Sequence, residues 1–265
     1  VFDFLSDLFD NFGEGNFLSE LLDDVEDAFA LPANPEGEAA LGIAAADLAV
    51  TFDTTATISF VEAESSKDNT LGFYNIAEDG TMLAVDLIFA STKDHATGDT
   101  ATISLPGSTA ESFGFFLISN GARKNKDFDD FDLENGELNF LYNYGKADER
   151  LAEITDAEDD VSLVYRNGSV EEVIVGSNNH IYHSTLRGGD TNLNSDGEIH
   201  VVSGIVDGSE GKTLRIGFED LPNLGDEDYN DLVFDITIEG HLTETLLVDD
   251  SDYLDGGAGE DVLYG

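Results

Sequence analysis

Residues 217–238 read GFEDLPNLGDEDYNDLVFDITI. Seven carboxylates fall between Phe218 and Asp235, with no Lys or Arg among them. Four of them crowd into Asp226–Asp231, and the chain then runs straight into the apolar LVFDITI. Carboxylates at alternating positions of a short loop can converge on one point, and calcium takes six to eight oxygen ligands from Asp, Glu, Asn and backbone carbonyls. Asp226, Asp228 and Asn230 stand two residues apart, Asp231 follows, Gly225 permits a tight turn, and Glu219 and Asp220 lie upstream of Asp226 across LPNL, Asp220 by six residues. Without a cation, each close pair costs about 1 kcal/mol in water and more where solvent is excluded. A divalent ion reverses that sign, so the expectation is a calcium site at the end of a core strand. Magnesium prefers octahedral, water-rich sites, and an oxygen-only set without Cys disfavours zinc. The competing reading is a solvated acidic loop.

Two further stretches carry the same residue types. In GGDTNLNSDGEIH (188–200), Asn192, Asn194, Asp196 and Gly197 match the opening of an EF-hand loop, but position twelve is Ser203 instead of a bidentate acid. An isolated calcium loop and an Asn/Asp-rich turn both stay open. In DFDDFDLENGE (127–137), Asp127, Asp129, Asp130 and Asp132 offer another cation loop or a solvated one. At the C-terminus, GGAGEDVLY (256–264) fits the nonapeptide G-G-x-G-x-D-x-U-x at Gly256, Gly257, Gly259, Asp261 and Leu263, the pattern of a calcium-binding parallel β-roll. DYLD at 252–255 reads as the tail of a preceding copy, and one turn alone lacks the stacking that stabilises such repeats.

Catalytic patterns are weak. There is no G-x-S-x-G, no H-E-x-x-H and no phosphate loop. His180 and His183 are three apart, which in a strand means opposite faces. The expectation is a protein that is not an enzyme.

The elements that must hold these loops follow from periodicity. Short runs rich in Val, Ile, Thr and Phe, separated by Gly, Asn and Asp, place strands at 56–62, 82–90, 102–105, 113–119, 137–142, 162–166, 171–176, 180–184, 199–204, 213–218 and 231–238. So many strands with few helical interruptions predict a mostly β, antiparallel sandwich or jelly-roll-like domain over 40–241. Phe2, Leu5, Phe9 and Phe12, then Leu18, Leu21, Leu22, Val25 and Phe29, recur at helical spacing within a segment 1–35. Those helices would pack on their own chain or dock on another. Residues 242–265 would begin the β-roll.

The chain has 265 residues, 18 Phe, 8 Tyr and no Cys, and its 57 Asp+Glu against 11 Lys+Arg leave a net charge of −46. A substantial core is affordable, and a disordered acidic tail would be poorer in aromatics. Residues 1–66 and 216–265 hold no Lys or Arg, which disfavours nucleic acid and anionic membrane as partners. The acid excess calls for bound cations or for high salt. Without Cys, no disulfide can brace the fold. No apolar run approaches the roughly 20 residues that span a bilayer, so membrane insertion is not expected. No cleavable signal peptide is visible, and the chain reads as a fragment or processed form.

GGAGEDVLYG resembles the repeats-in-toxin family of secreted bacterial proteins. GFEDLPNLGDEDYNDLVFDI, LNSDGEIHVVSG and FGFFLISNG resemble a β-rich, calcium-dependent ligand- or peptide-binding domain that often precedes such repeats in adhesins. That resemblance covers residues 70–240 and implies calcium roles for Glu219, Asp220, Asp226, Asp228 and Asp231, and for Asn194 and Asp196. It implies export by a type I secretion system to the cell surface or medium, with calcium as the bound ion. The expected function is adhesion or matrix building, as in a biofilm, through a peptide or glycan ligand at the calcium-stabilised loop. The alternative is a structural subunit that assembles with copies of itself into a layer, sheath or filament.

Overall fold

The computed structural model describes residues 40–41, 53–105, 112–125, 135–184, 193–194, 196–206 and 213–238. The expected helices within 1–31, the acidic stretch 127–132, Asn192 and the repeat with Gly256, Gly259 and Asp261 lie outside the described residues.

The described residues are mostly β, and every strand pair is antiparallel. One sheet contains β1 (Ala40–Leu41), β2 (Thr54–Glu62), β5 (Thr100–Leu105), β12 (Val201–Ile205), β13 (Thr213–Phe218) and β14 (Leu232–Ile238), in the order β1-β12-β13-β14-β2-β5. The other contains β3 (Thr70–Ile76), β4 (Met82–Phe89), β6 (Ser112–Ile118), β7 (Glu137–Tyr142), β8 (Arg150–Leu151), β9 (Val161–Asn167), β10 (Val170–Ile174) and β11 (Ile181–His183). Its order is β10-β9-β7-β4-β3-β6-β11, with β8 beside β7. The two sheets form a sandwich-like arrangement, as the strand pattern predicts.

Alternation along the strands explains two cores instead of one. Leu71 and Phe73 of β3 and Phe113, Phe115 and Leu117 of β6 meet Ile58, Phe60, Phe218, Phe234 and Ile236 between the sheets. The intervening Tyr74, Ile76, Phe116 and Ile118 face the other way, into a second cluster with Met82, Leu138, Phe140, Leu163 and Tyr165. The larger sheet therefore curls around its own far face. β3 and β6 are buried along their whole length, which is why β6 reads as a continuous apolar run and not as an alternating one. Burying each such Phe contributes about 1.5–3 kcal/mol.

All eleven expected strands form, and β1, β3 and β8 add to them. The central strand β3, TLGFYNI, carries Gly72 and Asn75, residues that depress strand propensity. Packing demands Gly72: a Cβ there would lie 2.2 Å from Phe116 Cζ.

β14 is the strand that carries the acidic loop. Leu232, Phe234, Ile236 and Ile238 are buried in the inter-sheet core. Phe234 meets Phe115 of the opposite sheet edge-on at 5.0 Å. On the outer face Asp235 forms a two-pronged ion pair with Arg215 opposite it on β13, at 2.8 and 3.0 Å. That carboxylate of the acidic stretch is thereby accounted for.

Candidate metal centre

The loop 219–231 joins β13 to β14, whose register closes at Phe218 opposite Leu232. Its path is set by anchors. Leu224 and Tyr229 are buried. The Tyr229 hydroxyl donates to the Ile199 carbonyl at 3.0 Å, and the Glu219 amide donates to the His200 carbonyl at 3.0 Å. Asn223, Leu224, Glu227 and Tyr229 all have positive φ, between 51 and 62°. Gly225, at φ 61° and ψ −107°, occupies backbone space closed to other residues.

This winding brings three acids together. Oxygens of Glu219, Asp226 and Asp228 lie within 4.8 Å of one another. Two ligands each about 2.4 Å from one ion stand at most about 4.8 Å apart, so the spacing admits a calcium-sized ion. Glu219 is fully buried. Its Oε1 accepts the Tyr229 amide at 2.8 Å, while its Oε2 is buried with no hydrogen-bond partner. A buried acceptor without a donor costs about 1–3 kcal/mol, more if charged. The donor set is all oxygen, and a cation placed among the three acids would supply what Oε2 lacks.

The electrostatics agree with the geometry. Burial first, then the Asp231, Asp228 and Asp226 carboxylates, push the Glu219 carboxyl well above its usual range, against the opposing Tyr229 amide. Burial, then Asp220, likewise raises Asp231. Asp228 Oδ1 accepts the Asn230 amide at 3.3 Å, which ties that carboxylate to the loop. Asn230 in turn holds β2's end through its carbonyl, which accepts the Glu64 amide at 3.1 Å.

Asp220 and Asp231 go elsewhere. Asp220 is buried, with Oδ1 2.8 Å from Lys67 Nζ, and its Oδ2 accepts from Asn69 Nδ2 at 2.6 Å and from the Ser65 hydroxyl. Lys67 Nζ also donates to Ser119 Oγ at 2.8 Å. Asp231 Oδ2 accepts the Asp220 amide at 2.8 Å. The structure thus places Asp220 in a cage beside the cluster, not in it. Lys67, the first basic residue of the chain, is the partner that sequence spacing did not reveal.

The second predicted loop serves as a brace. Buried Asn194 accepts the His183 amide at 2.7 Å and donates to the Glu198 carbonyl at 3.1 Å. Asp196 pairs with His200 Nε2 at 2.9 Å and accepts the Asn223 amide at 2.8 Å. Burial pushes the Asp196 carboxyl up, but His200 and the Asn223 and Glu198 amides outweigh it and hold it well below the usual range. Asp196 therefore pins the turn at Asn223. His180 and His183 part company as expected: His183 sits in the second core, 5.1 Å from the Phe140 ring, while His180 stacks on Tyr182 at 5.6 Å.

Residues 156–239, well under half of the chain, match the model of a domain of unknown function (DUF4114), a span that includes β9 to β14 and the whole acidic loop. No curated protein and no solved structure matches the chain.

Proposed function

We propose that this protein is a secreted calcium-binding bacterial adhesion module, in which Glu219, Asp226 and Asp228 hold calcium and the stabilised loop binds a peptide or glycan ligand outside the cell. The observation that carries the reading is Glu219 Oε2, fully buried, unpartnered and gathered with two further carboxylates. The net charge of −46 supports it, because cation binding relieves self-repulsion. The resemblance of the acidic loop and of the C-terminal repeat to calcium-dependent adhesin segments supports the setting. In calcium-poor cytosol the chain stays loosely held and exportable; in calcium-rich surroundings the ion binds the folded state and stabilises it by mass action.

The test is calorimetric titration of calcium into chelator-treated protein, with Glu219→Gln alongside, followed by peptide and glycan arrays probed in calcium and in chelator. Saturable calcium binding lost in Glu219→Gln, with array binding lost in chelator, is the expected result. Equal calcium binding by the two proteins would sink the metal assignment. Calcium-driven growth in light-scattering mass, with no array ligand, would replace adhesion by self-assembly.

A further inference from the structure

The six-stranded sheet ends at β5, which pairs with β2 and, among the described residues, with no strand on its outer edge. β4 of the larger sheet lies beside it. Between β5 and β4 lies a concavity of about 340 Å³, lined among others by Phe73, Asn75, Leu87, Ile88, Ile103 and the exposed Asp86. β4 is irregular here: Ala84 has φ 47°, and the register against β3 slips between Phe73 and Asn75 and again between Leu71 and Gly72. Bulges of this kind re-aim side chains and break pairing next to binding sites.

Asn75 makes the groove more than an apolar gap. It is 1% exposed, yet its Oδ1 has no hydrogen-bond partner. The lining holds an orphan acceptor and a carboxylate, and no Lys or Arg. A protein of charge −46 draws basic partners. The exposed β5 residues Thr100, Thr102 and Ser104 alternate with inward ones, so a strand added to this edge would continue the alternation. Every second side chain of that strand would point down onto the groove floor.

We propose that the outer edge of β5 and the groove under it dock an extended peptide of a partner protein, which adds as a further strand and directs a lysine or arginine toward Asn75 and Asp86. Backbone pairing would supply the affinity and the groove the choice of side chain, the division of labour in strand addition. The site is separate from the carboxylate loop and does not rest on the calcium reading.

The probe is a fluorescein-labelled octapeptide of alternating threonine and valine with one central lysine, titrated into the full chain in millimolar calcium. Companion peptides replace the lysine by glutamate or carry N-methyl groups on alternate amides. The lysine peptide should bind saturably, and the other two about tenfold more weakly or worse. Asn75→Leu should weaken lysine-peptide binding by about tenfold without loss of fold, because it removes an unsatisfied buried group. Asp86→Lys should reverse the preference toward glutamate. In ¹⁵N-labelled protein the amides that shift should be those of 84–88 and 100–105. Equal binding of the three peptides, no saturation with the lysine peptide, or shifts confined to 219–231 would overturn the proposal. Concentration-dependent broadening of the β5 amides without peptide would assign the edge to a second copy and overturn it as well.

Discussion

Glu219 and Asp220 are neighbours in sequence, both fully buried, and they meet the cost of burying a carboxylate in opposite ways. Asp220 turns into a cage in which Lys67, Ser65 and Asn69 satisfy both oxygens. Glu219 turns the other way and leaves Oε2 unpaired beside Asp226 and Asp228. A buried charge is tolerated only with a partner. Asp220 has its partners within the protein, whereas Glu219 Oε2 has none among the described residues; on the proposed calcium reading, the ion would supply it. Acidity alone does not distinguish the two carboxylates; unmet hydrogen-bonding capacity does.

The largest effect that would sharpen this contrast is loss of the internal partner. Lys67→Met leaves Asp220 buried without its countercharge and should cost about 3–5 kcal/mol in urea unfolding, with calcium or without it. If the loss disappears in calcium, the cage and the cluster are one system and the contrast fails.

Next comes loss of the external partner. Removing calcium from a site held at about 100 Kd should cost about 2.7 kcal/mol. Glu219→Gln should abolish that calcium-dependent increment, while its stability in chelator stays equal to that of the parent or rises.

The pH profile in chelator tests the same residue. The folded Glu219 carboxyl is raised above its ordinary value near 4.3, so the native state binds the extra proton. The carboxyl's contribution to stability should be fully present below about pH 4 and be lost as pH rises through the raised folded value. Asp231, also raised, adds to the same slope. Calcium or Glu219→Gln should remove the Glu219 contribution; a parent profile in chelator identical to that of Glu219→Gln would mean that the Glu219 carboxyl is not raised in the fold.

Gly225→Ala is a smaller perturbation. Its Cβ would lie 2.9 Å from Leu221 Cδ1 at φ 61°, so the change should cost about 1–3 kcal/mol and weaken calcium binding in titration. Tyr229→Phe, which removes only the bond to Ile199, should cost about 1 kcal/mol by thermal unfolding and leave calcium affinity nearly unchanged.

Much of this was legible beforehand. Alternation and turn residues located eleven strands, because half-buried antiparallel strands write their faces into the sequence. They failed at β3, where Gly72 and Asn75 look like turn residues. Gly72 is required by the Phe116 ring, a contact with a strand far along the chain. The crowding of Glu219, Asp226 and Asp228 was visible as spacing, since those residues share one loop.

What the sequence determined by itself was the local content: strand periodicity, an acidic loop set against a core strand, and a charge that invites cations. Only the tertiary structure decided which acids act together. It sent Asp220 to Lys67 across 153 residues, bent Asp196 toward His200 and Asn223, and left Glu219 Oε2 unpaired. Spacing fixes which groups can be neighbours along a loop. Whether a buried carboxylate is already paired depends on strands brought in from elsewhere, and that is a property of packing alone.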